Sequence, residues 1–327
     1  MSGMKRSVAL VVAALLTLAG CGGGSAGGGG GKDEIRIGKQ FGIGYAPLVV
    51  LEHKPELLKK HLPGVKLTWK ELGAGTSLRD AMLGEQLDVG SGGAGPVVDG
   101  LTKGVNIKIA TGLVEMPMWA VSTKDGPKKL SEFGAKDKIA LPGINSSQHV
   151  VLREALKREG IAPKRLDDNL VPMPHPDARQ AFTADQISAH VTSAPFQYQE
   201  VAEGGNKLVD SYQLWGRHTF MTVYATTKWA KENPENFKGL VAAVNEATEW
   251  IGSHKAETAK LLAEESGGET PAKDFREQLD EPTVTFTPDI KNIKPMADAM
   301  YDLGFIKKKV TAEELFFPSA KVEGSDW

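Results

Sequence analysis

Seven histidines stand at positions 53, 61, 149, 175, 190, 218 and 254, with no His-x-x-x-His pair among them, and Cys21 is the single cysteine. A zinc hydrolase and a Cys-ligated cluster have no donor set, so no metal site is expected. The chain has no Gly-x-Ser-x-Gly elbow and no phosphate-binding Gly-x-x-x-x-Gly-Lys-Ser/Thr loop, and Gly42-Ile43-Gly44 lacks the third glycine of a dinucleotide fingerprint. Neither a catalytic residue nor a cofactor is expected. What recurs is a loop of small, hydroxyl or amide residues just before a helix, at 40–47, 73–77, 90–96 and 143–147. Helix N-termini carry unpaired N–H groups and the positive end of the dipole, so such loops can hold a small anion without lysine or arginine. Plain N-capping would ask for the same residues singly, at Thr76 or Asn145 for example; four loops at strand ends point instead to a cleft. The ligand-binding candidates there are Gln40, Tyr45, Thr76, Ser77, Ser91, Gly92, Asn145, Ser146 and Ser147.

A further strand-to-helix turn at 189–196 adds His190 and Thr192, with a core histidine and a helix cap as the competing readings. Tyr45, Trp119 and Phe196 are candidates for apolar pocket walls, although any one aromatic is more often simply core. His218 and Thr219 stand where the chain would return from a second lobe, facing either the cleft or a solvated hinge.

These loops need strands before them and helices after them, and the hydropathy pattern supplies both. Residues 34–38 alternate apolar and polar as a half-buried strand does, and 47–60 follow with helical periodicity. Strands are expected over 65–71, 87–90 and 105–110, with helices over 77–83 and 96–103. A second series has strands over 119–123, 138–141, 166–172 and 189–192 and helices over 147–158, 177–184 and 195–203. After a strand at 223–226 the chain reads as helices over 233–265, 272–279 and 289–303, with Pro288 at a helix start. Residues 283–287 are one more edge-strand candidate without a place. The pattern is α/β, two lobes each with a mainly parallel sheet flanked by helices, and a helical C-terminal layer.

With 327 residues, 41% hydrophobic and 24% charged, the chain is long enough for two packed lobes. Its formal charge of -2 argues against a nucleic-acid partner held by bulk charge. Residues 8–16 are the most apolar stretch and fall short of the ~20 needed to span a bilayer, which excludes a polytopic channel. Lys5 and Arg6 precede that stretch, and Leu18-Ala19-Gly20-Cys21 follows it. This resembles the bacterial lipobox, in which cleavage precedes the cysteine and the thiol is lipidated. Residues 1–20 then form a signal peptide and 21–32 a tether, with glycine at eight of ten positions over 22–31. Lipidation at Cys21 would anchor the body, beginning near Lys32, to a membrane surface.

After this lipobox, Ile35-Arg36-Ile37-Gly38, Gly44-Tyr45-Ala46-Pro47-Leu48 and Leu87-Asp88-Val89-Gly90 follow in order. Then come Ile139-Ala140-Leu141-Pro142-Gly143, Val171-Pro172-Met173-Pro174, Ala189-His190-Val191-Thr192-Ser193 and Asn233-Pro234-Glu235. With Met300-Tyr301-Asp302-Leu303-Gly304-Phe305 and Leu315-Phe316-Phe317-Pro318, the series resembles the substrate-binding proteins of bacterial ABC transporters in the nitrate, sulfonate and taurine group. The resemblance implies the two-lobed periplasmic-binding fold of type II, with lobe 1 from 34–115 plus 220–327, lobe 2 from 116–219, and two crossovers. It implies a receptor that captures a small anion such as an aliphatic sulfonate, taurine or nitrate and delivers it to an ABC permease with its ATPase. It also implies a monomer, in the periplasm or lipid-anchored at the outer face of the cytoplasmic membrane. The family's cleft-facing loops fall on Gln40 and Tyr45, Thr76 and Ser77, Ser91 and Gly92, 145–147, and His190 with Thr192. Two departures stand out: Ala194-Pro195-Phe196 where relatives often have Pro-Pro-Phe, and Arg217-His218 in place of small residues before Thr219. The alternatives are a receptor for a thiamine-precursor pyrimidine or similar heterocycle, stacked on Tyr45, Trp119 or Phe196, and, in other classes, an enzyme on the same scaffold or a surface adhesin.

Overall fold

The computed structural model describes residues 33–324. The signal segment, Cys21 and the glycine tether lie outside the described residues. Strand β1 (Glu34–Lys39) feeds a short turn of helix and then α1 (Ala46–His53) and α2 (Pro55–His61). There follow β2 (Lys66–Glu71), α3 (Gly75–Leu83), β3 (Val89–Gly93), α4 (Ala94–Thr102) and β4 (Ile107–Glu115). The next segment comprises β5 (Trp119–Ser122), β6 (Ile139–Leu141), α5 (Ser147–Arg158), β7 (Leu170–Pro172), α6 (His175–Thr183), β8 (Ala189–Thr192), α7 (Phe196–Ala202), β9 (Asn206–Asp210) and α8 (Ser211–Trp215). The chain then runs through β10 (Thr219–Thr226), α9 (Thr227–Glu232), α10 (Pro234–Ser253), α11 (Lys255–Glu265) and α12 (Ala272–Leu279). It ends with β11 (Thr285–Phe286), β12 (Ile290–Lys291), α13 (Lys294–Asp302), α14 (Ala312–Leu315) and β13 (Val322–Glu323).

Two sheets organise these elements. One has the order β11-β4-β10-β3-β1-β2, the other β7-β6-β8-β5-β9. The chain passes from the first sheet to the second between Glu115 and Trp119 and returns between Asp210 and Thr219. In β1 the alternation seen in the sequence places Ile35 and Ile37 in the core while Arg36 reaches back to Asp88. Each sheet keeps a parallel trio, β2-β1-β3 and β7-β6-β8. The mainly parallel expectation holds, because β4 runs with the first trio and β9 with the second; only β10 and β11 run against the first sheet and β5 against the second. Each of these strands enters its sheet directly from the other lobe or an edge loop, and antiparallel neighbours need no crossover helix.

The largest apolar cluster joins α1, α10 and the face of β1 to residues of the second sheet such as Leu141 of β6 and Val191 of β8. A second cluster holds α4, α13 and, from the other lobe, Val150 of α5. Helix α5 is therefore seated on both halves. The long helical run expected over 233–265 breaks at His254, where the backbone leaves helical geometry between α10 and α11. Pro288 does not start a helix: its carbonyl accepts from Gly112 N–H at 3.0 Å, placing the segment against β4, and Pro295 takes the helix-start role in α13. Residues 283–287 find their place as β11 on the sheet edge. Among the described residues no helix is long and apolar enough to cross a membrane.

Candidate functional site

Four helices begin at one point between the two sheets. Strand β3 ends at Gly93 and turns into α4 at Ala94; β6 ends at Leu141 and, after Pro142, leads to α5; α3 begins at Gly75 and α6 at His175. Around these N-termini lies an inner chamber of about 20 Å³ lined by Gly75, Gly93, Pro96, Ser146, Ser147, Gln148 and His175, with Gln40, Phe41, Tyr45, Pro142, Phe220 and Met221 closing it. None of these carries a permanent charge. Attraction for an anion is left to N–H groups and helix dipoles, and α5, at twelve residues, supplies the longest of the four. Ser146 caps α5 by accepting from His149 N–H at 3.3 Å. Ser147 Oγ accepts from Gly95 N–H at 3.2 Å, joining the start of α5 to the start of α4 across the cleft.

Glycine is required where these helices meet. A Cβ on Gly93 would lie 2.4 Å from Ser147 Oγ, and one on Gly95 would lie 3.0 Å from Ser147 N. Tyr45 is fully buried, with its hydroxyl beside the Gln40 amide but in no hydrogen bond of normal geometry. Burial, with Tyr224 nearby, pushes its pKa well above the usual tyrosine value, so the group stays a neutral donor.

Gln40, Phe41 and Tyr45 are shared with an outer chamber of about 470 Å³. Its apolar walls include Phe41, Val49, Phe196, Leu262 and Phe275, and its polar rim holds Lys39 against the carboxylates of Glu71, Asp177, Glu265 and Glu269. Lys39 is spent on Glu52 at 2.7 Å and on Glu265. Burial works to lower its pKa, but those two bonds outweigh it and the net shift is upward. The outer chamber is thus apolar with an acidic margin.

The structure brings Gln40, Tyr45, Ser146, Ser147 and Phe196 to these chambers. The other candidates stand elsewhere. Ser77 is exposed on α3. Thr76 sits close to Gly143 across the cleft without lining either chamber. Ser91 Oγ is buried and donates to Gly38 O at 2.7 Å, and Gly92, with φ near 153°, backs the Gln40 amide. Asn145, at φ 64°, directs its amide to Asp99. Trp119 packs edge-on to Tyr198 at 5.0 Å with Lys207 over its ring, and it lines neither chamber. His190 and Thr192 are wholly buried beneath α7. His218 is held by Gly216 O and Ser211, and Thr219 accepts from Lys291 N–H at 2.9 Å, both inside the return to the first sheet.

A model of the NMT1-like family matches residues 28–265, more than half of the chain. The chain belongs to the NMT1-like family. Among curated relatives of this family member, a protein of Escherichia coli strain K12 named for binding aliphatic sulfonates is 26% identical over 98% of the chain and 99% of its own length. A protein of the same description from Bacillus subtilis strain 168 is 24% identical, covering 80% of the chain and 78% of that protein. In fold the chain is similar to the alkanesulfonate-binding protein SsuA from Xanthomonas axonopodis pv. citri bound to MOPS, with a TM-score of 0.71 and 22% identity over 87% of this chain and 98% of that one. It is also similar to the nitrate-binding protein NrtA from Synechocystis PCC 6803, with a TM-score of 0.63 and 19% identity over 76% of this chain and 70% of that one. The fold of this NMT1-like chain is accordingly the two-lobed periplasmic-binding fold.

Several lining residues escaped the sequence reading. Phe41 lies within a loop that was singled out, but only its polar and small members carried a chemical signal. His175 was counted among scattered histidines, although its place at the start of a helix, between Pro174 and Pro176, is a usable mark. The loop between α11 and α12 supplies Ser266, Gly267, Glu269 and Thr270. It has the same small, hydroxyl-rich composition as the cleft loops but joins two helices, so a search for strand ends passes over it.

Proposed function

We propose that this protein is an extracytoplasmic solute receptor of an ABC importer that holds a sulfonate-like anion between its lobes and passes it to the permease with its ATPase. The observation that carries the reading is the convergence of four helix N-termini, two from each half, on a chamber without formal charge. An anionic headgroup there would be neutralised by N–H groups and the hydroxyls of Ser147 and Tyr45. Its organic end would extend past Phe41 into the outer chamber. The acidic margin makes the far end neutral or cationic, since a second negative charge would face Glu71, Asp177, Glu265 and Glu269. Simple alkanesulfonates and taurine fit; a sulfonated carboxylate does not. The inner chamber as it stands has room for about one water-sized sphere, so loading requires the lobes to part about the two crossovers near 115–119 and 210–219 and to close again.

In this reading Cys21 bears the lipid, the glycine tether spans the distance to the outer face of the membrane, and the receptor acts as a monomer. Replacing Cys21 by Ser is expected to move the protein from the membrane fraction to the soluble fraction of cells that express it.

The test is a thermal-shift and calorimetric titration of the chain from Lys32 onward with ethanesulfonate, taurine, nitrate and sulfoacetate. A ligand at 100 times its dissociation constant stabilises by about 2.7 kcal/mol, a shift of a few degrees for a chain of this size. Saturable binding of ethanesulfonate or taurine with little or none of sulfoacetate is the expected result. A flat response to all four from folded protein overturns the reading.

A further inference from the structure

A line of buried polar side chains runs from beneath α7 to the inner chamber and has no part in the ligand contacts above. Glu200 Oε1 lies 2.7 Å from His190 Nδ1. His190 Nε2 lies 2.8 Å from His175 Nδ1, and His175 Nε2 lies 3.3 Å from the amide nitrogen of Gln148, Nε2. Glu200 and His190 are completely inaccessible, His175 is 6% exposed, and both His175 and Gln148 line the chamber. Phe196 stacks on the His175 ring at 5.5 Å, fixing its plane, and Thr192 Oγ1 reaches the same Nδ1 at 3.3 Å.

Each neutral imidazole has one donor and one acceptor nitrogen, so the chain can run in only two directions. If Glu200 is ionised it accepts from His190 Nδ1–H; His190 Nε2 then accepts from His175, and His175 Nε2 presents a lone pair to the NH₂ of Gln148. The amide oxygen is then the end left for the chamber. If Glu200 is the neutral acid it donates to His190 Nδ1, each imidazole carries its proton on Nε2, and His175 donates to the amide oxygen of Gln148, which requires the amide to turn end for end from the orientation here, where its nitrogen faces the ring. The amide NH₂ is then left for the chamber.

We infer that Glu200, His190 and His175 are positioning residues that run this chain in the second direction, so that Gln148 offers N–H groups rather than an oxygen to an anion. The inference rests on the reading of the inner chamber as an anion site. The second oxygen of Glu200, Oε2, is buried without a partner, a state far less costly for the carbonyl of a neutral acid than for a carboxylate. Burial pushes the Glu200 carboxyl well above its ordinary range, against the attraction of Arg179 and with the repulsion of Glu203. Burial also holds His190 down to about 3 and His175 well below its usual value, so neither ring takes the second proton. Arg179 of α6, Glu203 at the C-cap of α7 and His190 of β8 are the charged or titratable groups that bear on Glu200; β5, packed against α7, contributes none.

The experiment is ¹⁵N NMR of the histidine rings in the ligand-free protein, assigned with single His→Gln variants, together with ethanesulfonate titrations of Glu200→Leu and Glu200→Gln. The inference expects His175 and His190 as Nε2–H tautomers. It expects Glu200→Leu to fold but bind about tenfold more weakly, the loss of roughly one hydrogen bond to a charged group. Glu200→Gln keeps an N–H for His190 and is expected to restore binding. Protons on Nδ1 of both rings overturn the inference, as does wild-type affinity in Glu200→Leu. If Glu200→Leu fails to fold, the tautomers and the Glu200→Gln affinity decide between the directions. Should the wild-type protein bind no sulfonate at all, the receptor reading falls while the tautomers still settle the direction of the chain.

Discussion

Ser147, Ser91 and Ser77 carry the same hydroxyl into three environments, and their substitution by alanine separates ligand binding from stability. Ser147 Oγ sits in the inner chamber and accepts across the cleft from Gly95 N–H. Ser147→Ala is expected to weaken ethanesulfonate binding about tenfold and, by leaving the buried Gly95 N–H without its acceptor, to cost about 1 kcal/mol of stability as well. Ser91 Oγ is buried and bonded to Gly38 O, so Ser91→Ala should cost about 1 kcal/mol of stability and leave affinity unchanged. Ser77 is exposed, and Ser77→Ala should fall within about 0.5 kcal/mol of wild type with normal binding. Calorimetric titration and urea unfolding of the three variants check the pattern; a Ser77 variant that loses binding would return that residue to the site. In sequence the three serines look alike, each in a small-residue loop near a strand end. Only the turn of each backbone decides which one faces the cleft.

At the scale of elements, the junction between α4 and α5 is where the lobes touch. Gly95 lies in the first turn of α4, and a methyl group there would press on the backbone nitrogen and Cα of Ser147 at 3.0 and 3.2 Å. Alanine suits a helix better than glycine by up to about 1 kcal/mol. Gly95→Ala is therefore expected to keep or raise the stability of the free protein while weakening sulfonate binding at least about tenfold, because the closed contact is obstructed. Wild-type affinity in that variant would mean that the lobes do not need this contact to hold ligand. Helix α5 and strand β8 have the bounds expected from periodicity, since each presents a clear apolar pattern and α5 has its serine cap. Strand β9 was missed: of its five residues only Val209 is buried, and antiparallel pairing with β5 rather than its own pattern makes it a strand.

The whole molecule should respond to acid through its buried histidines. Burial lowers His149 to about 4 and His190 to about 3, and it lowers His175 and His218 as well. In the unfolded chain these rings take protons near pH 6.5, so as pH falls below that value the unfolded state binds more protons and the fold loses stability. Glu200 and Glu71, raised by burial, act in the opposite sense. Four lowered histidines against two raised carboxyls leave a net loss of stability as pH falls from about 6 to about 4.5. Carboxylates held low by basic partners, such as Glu246 and Asp280, add their own loss only below that window. Urea unfolding at a series of pH values measures the slope. His149→Gln should reduce it, and a flat profile through the window would contradict the burial of these rings.

The amino-acid sequence by itself determined the succession of strands and helices, the small-residue loops at strand ends, the lipobox-like tetrad before the glycine tether, and through these the family. Such features are local: apolar periodicity, capping chemistry and glycine placement act within a few residues and can be read without knowing what lies opposite. The tertiary structure alone decided that Ser147 meets Gly95, that Trp119 packs on Tyr198 and Lys207, and that His175 reaches the chamber while His190 stands behind it. It also brought the α11–α12 loop to the outer chamber from more than two hundred residues beyond Gln40. Each of these depends on which face of an element is covered by a partner distant in the chain, and a side chain's direction across such a contact is fixed by packing that no local pattern encodes.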